Sequence, residues 1–303
     1  MRISTQAASQ SALIDLMRAQ RELYESGQQL STGLKAPDLK GYGNQAESIL
    51  FGRAAMSRAE NFVEASKRLE SRLGVQDLAL GELSGAVQDL RLALTTNDGT
   101  FLMQDVQSAF ERARSALNTQ FSGSFIFGGT RTDTLPFSGT TIGQLQGAAD
   151  MGDLFHNARQ KQTGRIDEQS TVETSFLADD LAQELMEIFA RVADFNDGPD
   201  GPFDGTVTNA QQQFLSTEIA NVIAVFERVN DAVGANGSMQ SRLESAVTSN
   251  RQRADYLKAM VAGMEEADMA EAATRLTQAQ AAVQVSALVF SDLSQVSLLP
   301  FLR

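Results

Sequence analysis

The chain of 303 residues contains no cysteine, no tryptophan and a single histidine. Each absence closes off a class of chemistry. Without cysteine there is no disulfide, no zinc finger and no thiol nucleophile. One histidine cannot build a catalytic triad alongside a multi-histidine metal site. That residue, His156, stands in a polar stretch with Asp153 and Asn157 and reads as exposed. No run reaches the apolar density of a membrane helix, so membrane insertion is not expected. Basic residues are also scarce, 25 Lys+Arg against 38 Asp+Glu, for a net charge of −13. The basic footprint of a nucleic-acid binder is missing, and anionic lipid surfaces are disfavoured. The opening MRISTQAASQ has no apolar region after Arg2 and no Ala-x-Ala cleavage pattern. Export, where it occurs, is expected to bypass the ordinary secretory route.

Hydrophobic residues make up 42%, enough for a core, while aromatics are only 7%. Ala, Ser, Leu and Gln dominate, a mix suited to helices that pack closely over long distances.

The two ends carry the strongest periodicity. A seam with alternating spacings of three and four runs through Leu13, Leu16, Gln20, Leu23, Gly27, Leu30 and Leu34. Asp15, Arg18, Glu22 and Glu25 lie off it. At the other end the seam is Met269, Ala273, Leu276, Gln280, Val283, Ala287 and Phe290. A second line beside it holds Ala272, Ala279, Ser286 and Leu293. From Leu276 to Leu302 the only charged residue is Asp292, so something should cover this helix. Ordering about 30 residues costs roughly 1–2 kcal/mol each in backbone entropy. A buried Leu returns about 1.5–3 kcal/mol. One seam of Leu cannot offset that cost. The terminal helices are therefore expected to pair, to bury their second faces against neighbouring copies, and to order on assembly. The same periodicity fits an ordinary intramolecular bundle, which explains the charge-poor C-terminal helix less well.

The interior predicts further helices. Asn44 with Glu47 forms a capping-box pattern at the start of a long helix to about Thr95, broken by Asn97-Asp98-Gly99. Others are expected over Phe101–Gln120, Leu177–Phe195 and Thr208–Val233, the last opened by a Thr208/Gln211 box. Gly234 to Gly237 predicts a break or kink, with the last long helix starting near Ser238. Residues 121–175 are rich in Gly and Thr, include Pro136, and hold short β-like runs at Ser124–Phe127 and Thr171–Phe176. The expected fold class is mainly α, a long antiparallel helical rod formed by both chain ends with a small β-rich insertion in the middle. The expected domains are paired terminal assembly helices (1–43 and 264–303), a helical rod (44–122 and 176–263), and an outward-facing insertion (123–175).

Motifs that suggest chemistry have plainer readings. Gly41-Tyr42-Gly43-Asn44-Gln45-Ala46 matches G-x-G-x-x-A, but a helix precedes it where a dinucleotide site needs a strand. Asp194 to Gly205 resembles a calcium loop, yet its twelfth position is Gly205 rather than Glu. Ser122, Ser124 and Ser138 stand in no nucleophile elbow. The pairs Glu265-Glu266 and Asp179-Asp180 are adjacent on helices and face different directions. No catalytic, cofactor or metal residue is assigned, and an enzyme is not expected. The candidate site is an assembly interface: Leu13, Leu16, Leu23, Leu30, Leu34, Met269, Ala273, Leu276, Val283, Ala287, Phe290 and Leu293.

Several segments carry a family resemblance. Leu30-Ser31-Thr32-Gly33-Leu34-Lys35 resembles the Leu-Ser-Thr/Ser-Gly-x-Arg/Lys segment of bacterial flagellins and their hook-associated relatives, and Met1-Arg2-Ile3-Ser4-Thr5 is similar too. Glu265-Glu266-Ala267-Asp268-Met269-Ala270-Glu271 resembles the stretch that opens the family's C-terminal helix. Gly237 to Glu244 and Leu298 to Leu302 are also family-like. Phe125 to Phe137 resembles members that sit at the hook–filament junction. Ala36-Pro37-Asp38-Leu39-Lys40-Gly41 departs from the flagellin pattern. The resemblance implies a non-enzymatic subunit exported unfolded through the flagellum's own apparatus and located outside the cell. Its partners would be other copies of itself, flagellin, the neighbouring hook-associated protein on the hook side, and an export chaperone at the C-terminal helix. A filament subunit, or an intracellular coiled-coil adaptor, remain the alternatives.

Overall fold

The computed structural model describes residues 2–298, with side chains described over 7–293. The apolar finish at Leu299–Leu302 and the side chains of the opening Met1–Thr5 lie outside those residues. The architecture is mainly α, with two small antiparallel hairpins in the middle of the chain. In chain order the helices are α1 (Arg2–Thr32), α2 (Ala46–Leu94), α3 (Leu102–Leu117), the short α4 (Ile142–Gln146), α5 (Ala178–Asp197), α6 (Asn209–Glu265) and α7 (Met269–Leu298). The hairpins are β1 (Gln120–Phe121) with β2 (Ser124–Phe125), and β3 (Thr163–Arg165) with β4 (Thr171–Glu173). The chain divides into two compact units, a terminal one built from the two ends up to Arg58 and from Arg253, and a central one of Ala59–Gln252.

In the central unit α2, α3, α5 and α6 enclose one large apolar core. Leu80, Leu83, Leu90, Phe110, Leu117, Leu185, Phe189 and Val225 are fully buried there. Phe110 meets Phe189 edge-on at 5.6 Å and Phe137 at 6.5 Å, so the segment after β2 packs on the same core as the helices. Edge-to-face rings are a favoured aromatic geometry. Ile126, Phe127, Phe137, Ile142 and Leu145 share this core with the helical arms, whereas Ile166 and Val172 pack in a smaller cluster with Leu73 and Leu243. Between α5 and α6 the guanidinium of Arg191 grips the buried carboxylate of Glu218 with bonds of 2.9 and 2.8 Å.

Helix boundaries follow local chemistry. Asp98 accepts from the Thr100 amide at 3.0 Å and hydroxyl at 2.6 Å, which stops α2 and starts the next turn. Thr208 and Gln211 cap α6 reciprocally, the Thr208 amide donating to Gln211 Oε1 at 3.0 Å and the Gln211 amide to Thr208 Oγ1 at 3.3 Å. The entry to α2 differs from expectation. Asp38, rather than Asn44, caps a 3₁₀ turn over Leu39–Gln45 that runs directly into the helix.

The expected break at Gly234–Gly237 does not occur, because α6 continues unbroken from Asn209 to Glu265. Each interior Gly costs about 1 kcal/mol relative to Ala. Packing on either side overrides that preference. Val229 and Leu243 are fully buried, and between them Asn236 donates to the Leu73 carbonyl at 3.2 Å and accepts from Gln76 at 2.9 Å.

Candidate assembly site

In the terminal unit α1 and α7 pack along one another in antiparallel sense. The residues they bury repeat every seven positions. On α1 these are Ala12, Ala19 and Ser26, flanked by half-buried Leu16, Leu23 and Leu30. On α7 they are Ala272 and Ala279, flanked by half-buried Leu276, Val283, Ser286, Phe290 and Leu293. Small residues at the contact let the two helices approach closely, while the longer side chains close over the edges.

The expected seam residues thus separate into two sets. Leu16, Leu23, Leu30, Leu34, Leu276, Val283, Phe290 and Leu293 come together in the α1–α7 contact or at its edge. Leu13 (38% exposed), Met269 (47%), Ala273 and Ala287 do not, and face away. Leu13 is displaced because Ala12 occupies the buried position. The seven-residue spacing of Ala12, Ala19 and Ser26 is the sequence signal of the line that α1 buries.

Large apolar side chains also stay exposed on the side that each helix turns away from the contact. Ile14 (56% exposed), Met17 (55%) and Tyr24 (69%) lie on α1, and Val285 (60%), Leu288 (66%) and Val289 (46%) lie on α7.

The pair is held by a joint where two of the family-like segments meet. Gly33, with φ of +72°, terminates α1 by donating to the Gln29 carbonyl at 2.8 Å. A left-handed glycine is the common way to end a helix. The chain then bridges Leu34 to Glu266. The Lys35 amide donates to the Glu265 carbonyl at 2.7 Å, and the Ala267 amide to the Gly33 carbonyl at 2.8 Å. Lys35 Nζ donates to the carbonyls of Gly263 (3.0 Å) and Met264 (2.9 Å), the otherwise orphaned end of α6. Asp268 caps α7, accepting from the amides of Ala270 at 2.9 Å and Glu271 at 3.1 Å. Beneath this, Arg53 pairs with the buried Glu265 at 2.8 Å. Arg53 and Lys35 carry no local signal of a site in the sequence, since their partners lie far along the chain.

The chemistry-like motifs are tied up in structural bonds. Ser138 donates to the Leu154 carbonyl at 3.1 Å, Asp179 accepts from Asn157 at 2.8 Å, and Asp194 and Asp197 each accept from Gln146 at 3.1 Å. Bonds from Gln146 and then Asn196 hold the Asp197 carboxyl below its ordinary range. His156 is exposed. Among the described residues no group of three or more metal-ligating side chains is placed to hold an ion, and no helix is long and apolar enough to cross a membrane.

The body is mainly helical, and its two terminal helices pack on one another. Residues 3–132 match the bacterial flagellin N-terminal helical region, and residues 219–302 match the bacterial flagellin C-terminal helical region. The chain belongs to the flagellin family, whose members include the flagellar hook-associated proteins. It is 20% identical to flagellar hook-associated protein 3 of Salmonella typhimurium, and 21% identical to that of Escherichia coli, each over 98% of both chains. Two solved structures share the fold. A putative flagellar hook-associated protein from Vibrio parahaemolyticus has TM-score 0.58 at 13% identity, covering 73% of this chain and 97% of its own. FlgL of Bacillus cereus has TM-score 0.51 at 14% identity, covering 70% and 98%.

Proposed function

We propose that this chain is a structural subunit of the bacterial flagellum, exported unfolded, assembled through α1 and α7, and acting as the adaptor between hook and filament. The observation that carries the reading is the outward apolar face of the terminal pair. Leu288, Val285 and Ile14 remain exposed after α1 and α7 have covered one another. Leaving such side chains in water forgoes roughly 1.5–3 kcal/mol each, which a neighbouring subunit recovers by covering them. Likeness to hook-associated proteins over nearly the full length supports the adaptor role over that of the filament subunit. The same reading makes other copies, flagellin and the hook-side neighbour its partners, with a chaperone shielding α7 before export.

Immunogold electron microscopy of whole cells, with antibody raised to residues 140–170, tests the role. Label confined to the boundary between hook and filament is expected. Label along the whole filament would make the chain a filament subunit, and label only in the cytoplasm would overturn the flagellar reading.

A further inference from the structure

One groove of the central unit gathers three arginines in a chain that is acidic overall. It has a volume of about 410 Å³ and is lined by Arg68 and Arg72 of α2 and Arg165 of β3, with no carboxylate in its lining. The chain as a whole has a net charge of −13. Arg68 and Arg72 are one turn apart and share a helix face. Gly164 brings the third arginine alongside. A Cβ at that position would sit 2.4 Å from Leu69 Cδ1, so the strand lies directly on the helix.

No carboxylate lines the groove; Glu64, one turn before Arg68 on α2, acts on that arginine from outside it. Arg72 is half-buried, and burial pushes its pKa below the ordinary value. Its guanidinium donates to the Gln162 side chain and the Ile126 carbonyl, and its Nε has no partner. The Arg165 guanidinium lies 5.9 Å from the centre of the Phe62 ring and donates to the backbone carbonyls of Asp167 and Glu168. Those bonds hold its position without cancelling its charge. The groove adds the hydroxyls of Ser122 and Ser124 and an apolar floor of Leu69 and Phe121.

Burying a charge without a counter-ion is unfavourable, and the planar guanidinium fork matches carboxylate, sulfate and phosphate oxygens. We propose that this groove binds an oxyanion carried on a short apolar or aromatic stem. The oxyanion meets the arginines and serine hydroxyls, and the stem lies on Leu69 and Phe121. A small organic ester anion and an acidic side chain of a protein share this chemistry.

Calorimetric titration of the full chain with phenyl phosphate and with N-acetylglutamate, at constant ionic strength against a chloride control, tests the proposal. Saturable binding of at least one is expected, weakened about tenfold in Arg68→Gln and in Arg165→Gln by loss of a charge-assisted contact. Arg68 is exposed, so its replacement leaves the fold in place, as circular dichroism would verify. Preference for phenyl phosphate assigns the groove to a small ester anion, and preference for N-acetylglutamate to an acidic side chain. Binding of neither probe beyond chloride, or undiminished binding by both variants, would overturn the proposal.

Discussion

Arg53 Nη2 lies 2.8 Å from Glu265 Oε1, and that oxygen accepts no aligned hydrogen bond from any other donor. The Glu265 side chain is 9% exposed and that of Arg53 is 49% exposed. The ion pair thus fixes the end of α6 where α7 departs. Removing Arg53 would leave a buried carboxylate without its counter-charge. For a fully buried pair that loss is several kcal/mol, and solvent screening of the half-exposed arginine reduces it to about 1–2 kcal/mol. Arg53→Ala is expected to raise hydrogen exchange in the first turns of α7, and Glu265→Gln on that background to restore part of the protection. Unchanged exchange in Arg53→Ala would remove the ion pair from the joint.

Gly52 permits the close approach of α2 to α6 in the terminal unit. A Cβ there would stand 2.6 Å from Val261 Cγ2. Valine is stiff at χ1 and cannot swing aside cheaply. Gly52→Ala is expected to destabilise by about 1–3 kcal/mol through overpacking. Val261→Ala in the same chain should relieve the clash, so denaturant titration of the four-member cycle should show strong coupling. Simple additivity would contradict this packing.

Gly234 and Gly237 have open space at the Cβ position and sit inside a continuous helix. Gly→Ala at either is expected to stabilise by about 0.5–1 kcal/mol, visible as a rise in Tm. A loss of stability would mean that the helix bends at these residues.

Asn236 is fully buried, donating to the Leu73 carbonyl and to Asp77 and accepting from Gln76. Asn236→Ala leaves the buried Gln76 amide without its acceptor, while the Leu73 carbonyl keeps its bond from Gln240, and is expected to cost about 1–3 kcal/mol by denaturant titration. Replacing Asn236 and Gln76 together with leucine should cost less than the two single changes summed. A double variant as weak as that sum would show that the network acts through packing alone.

Much of this structure is legible in the sequence wherever the signal is local. Asp98 and the Thr208/Gln211 box mark helix ends because capping is decided by residues a few positions apart. Periodicity identified both terminal helices and the line of Ala272 and Ala279 that α7 buries, whereas on α1 the buried line of Ala12, Ala19 and Ser26 runs beside the expected seam of leucines. Hydrophobic size says which residues gain from burial; it does not say how closely two helices approach. The break expected at Gly234–Gly237 failed for a related reason. Propensity is local, whereas the bonds of Asn236 to Gln76 and Leu73 join residues far apart in the chain. Arg53, Lys35 and the groove of Arg68, Arg72 and Arg165 share that property. Each depends on a partner whose proximity only folding creates.

Incorporation into flagella by a pair of aspartate variants tests the account's central claim most directly. Leu288 is 66% exposed on the outer face of α7, while Val283 is half-buried against α1. The account predicts that Leu288→Asp keeps the thermal unfolding of the wild-type soluble protein and yet is missing from isolated flagella. Val283→Asp should lose both stability and incorporation. Flagella that carry Leu288→Asp at wild-type levels would contradict the assignment of the outer face of the terminal helices as the assembly surface.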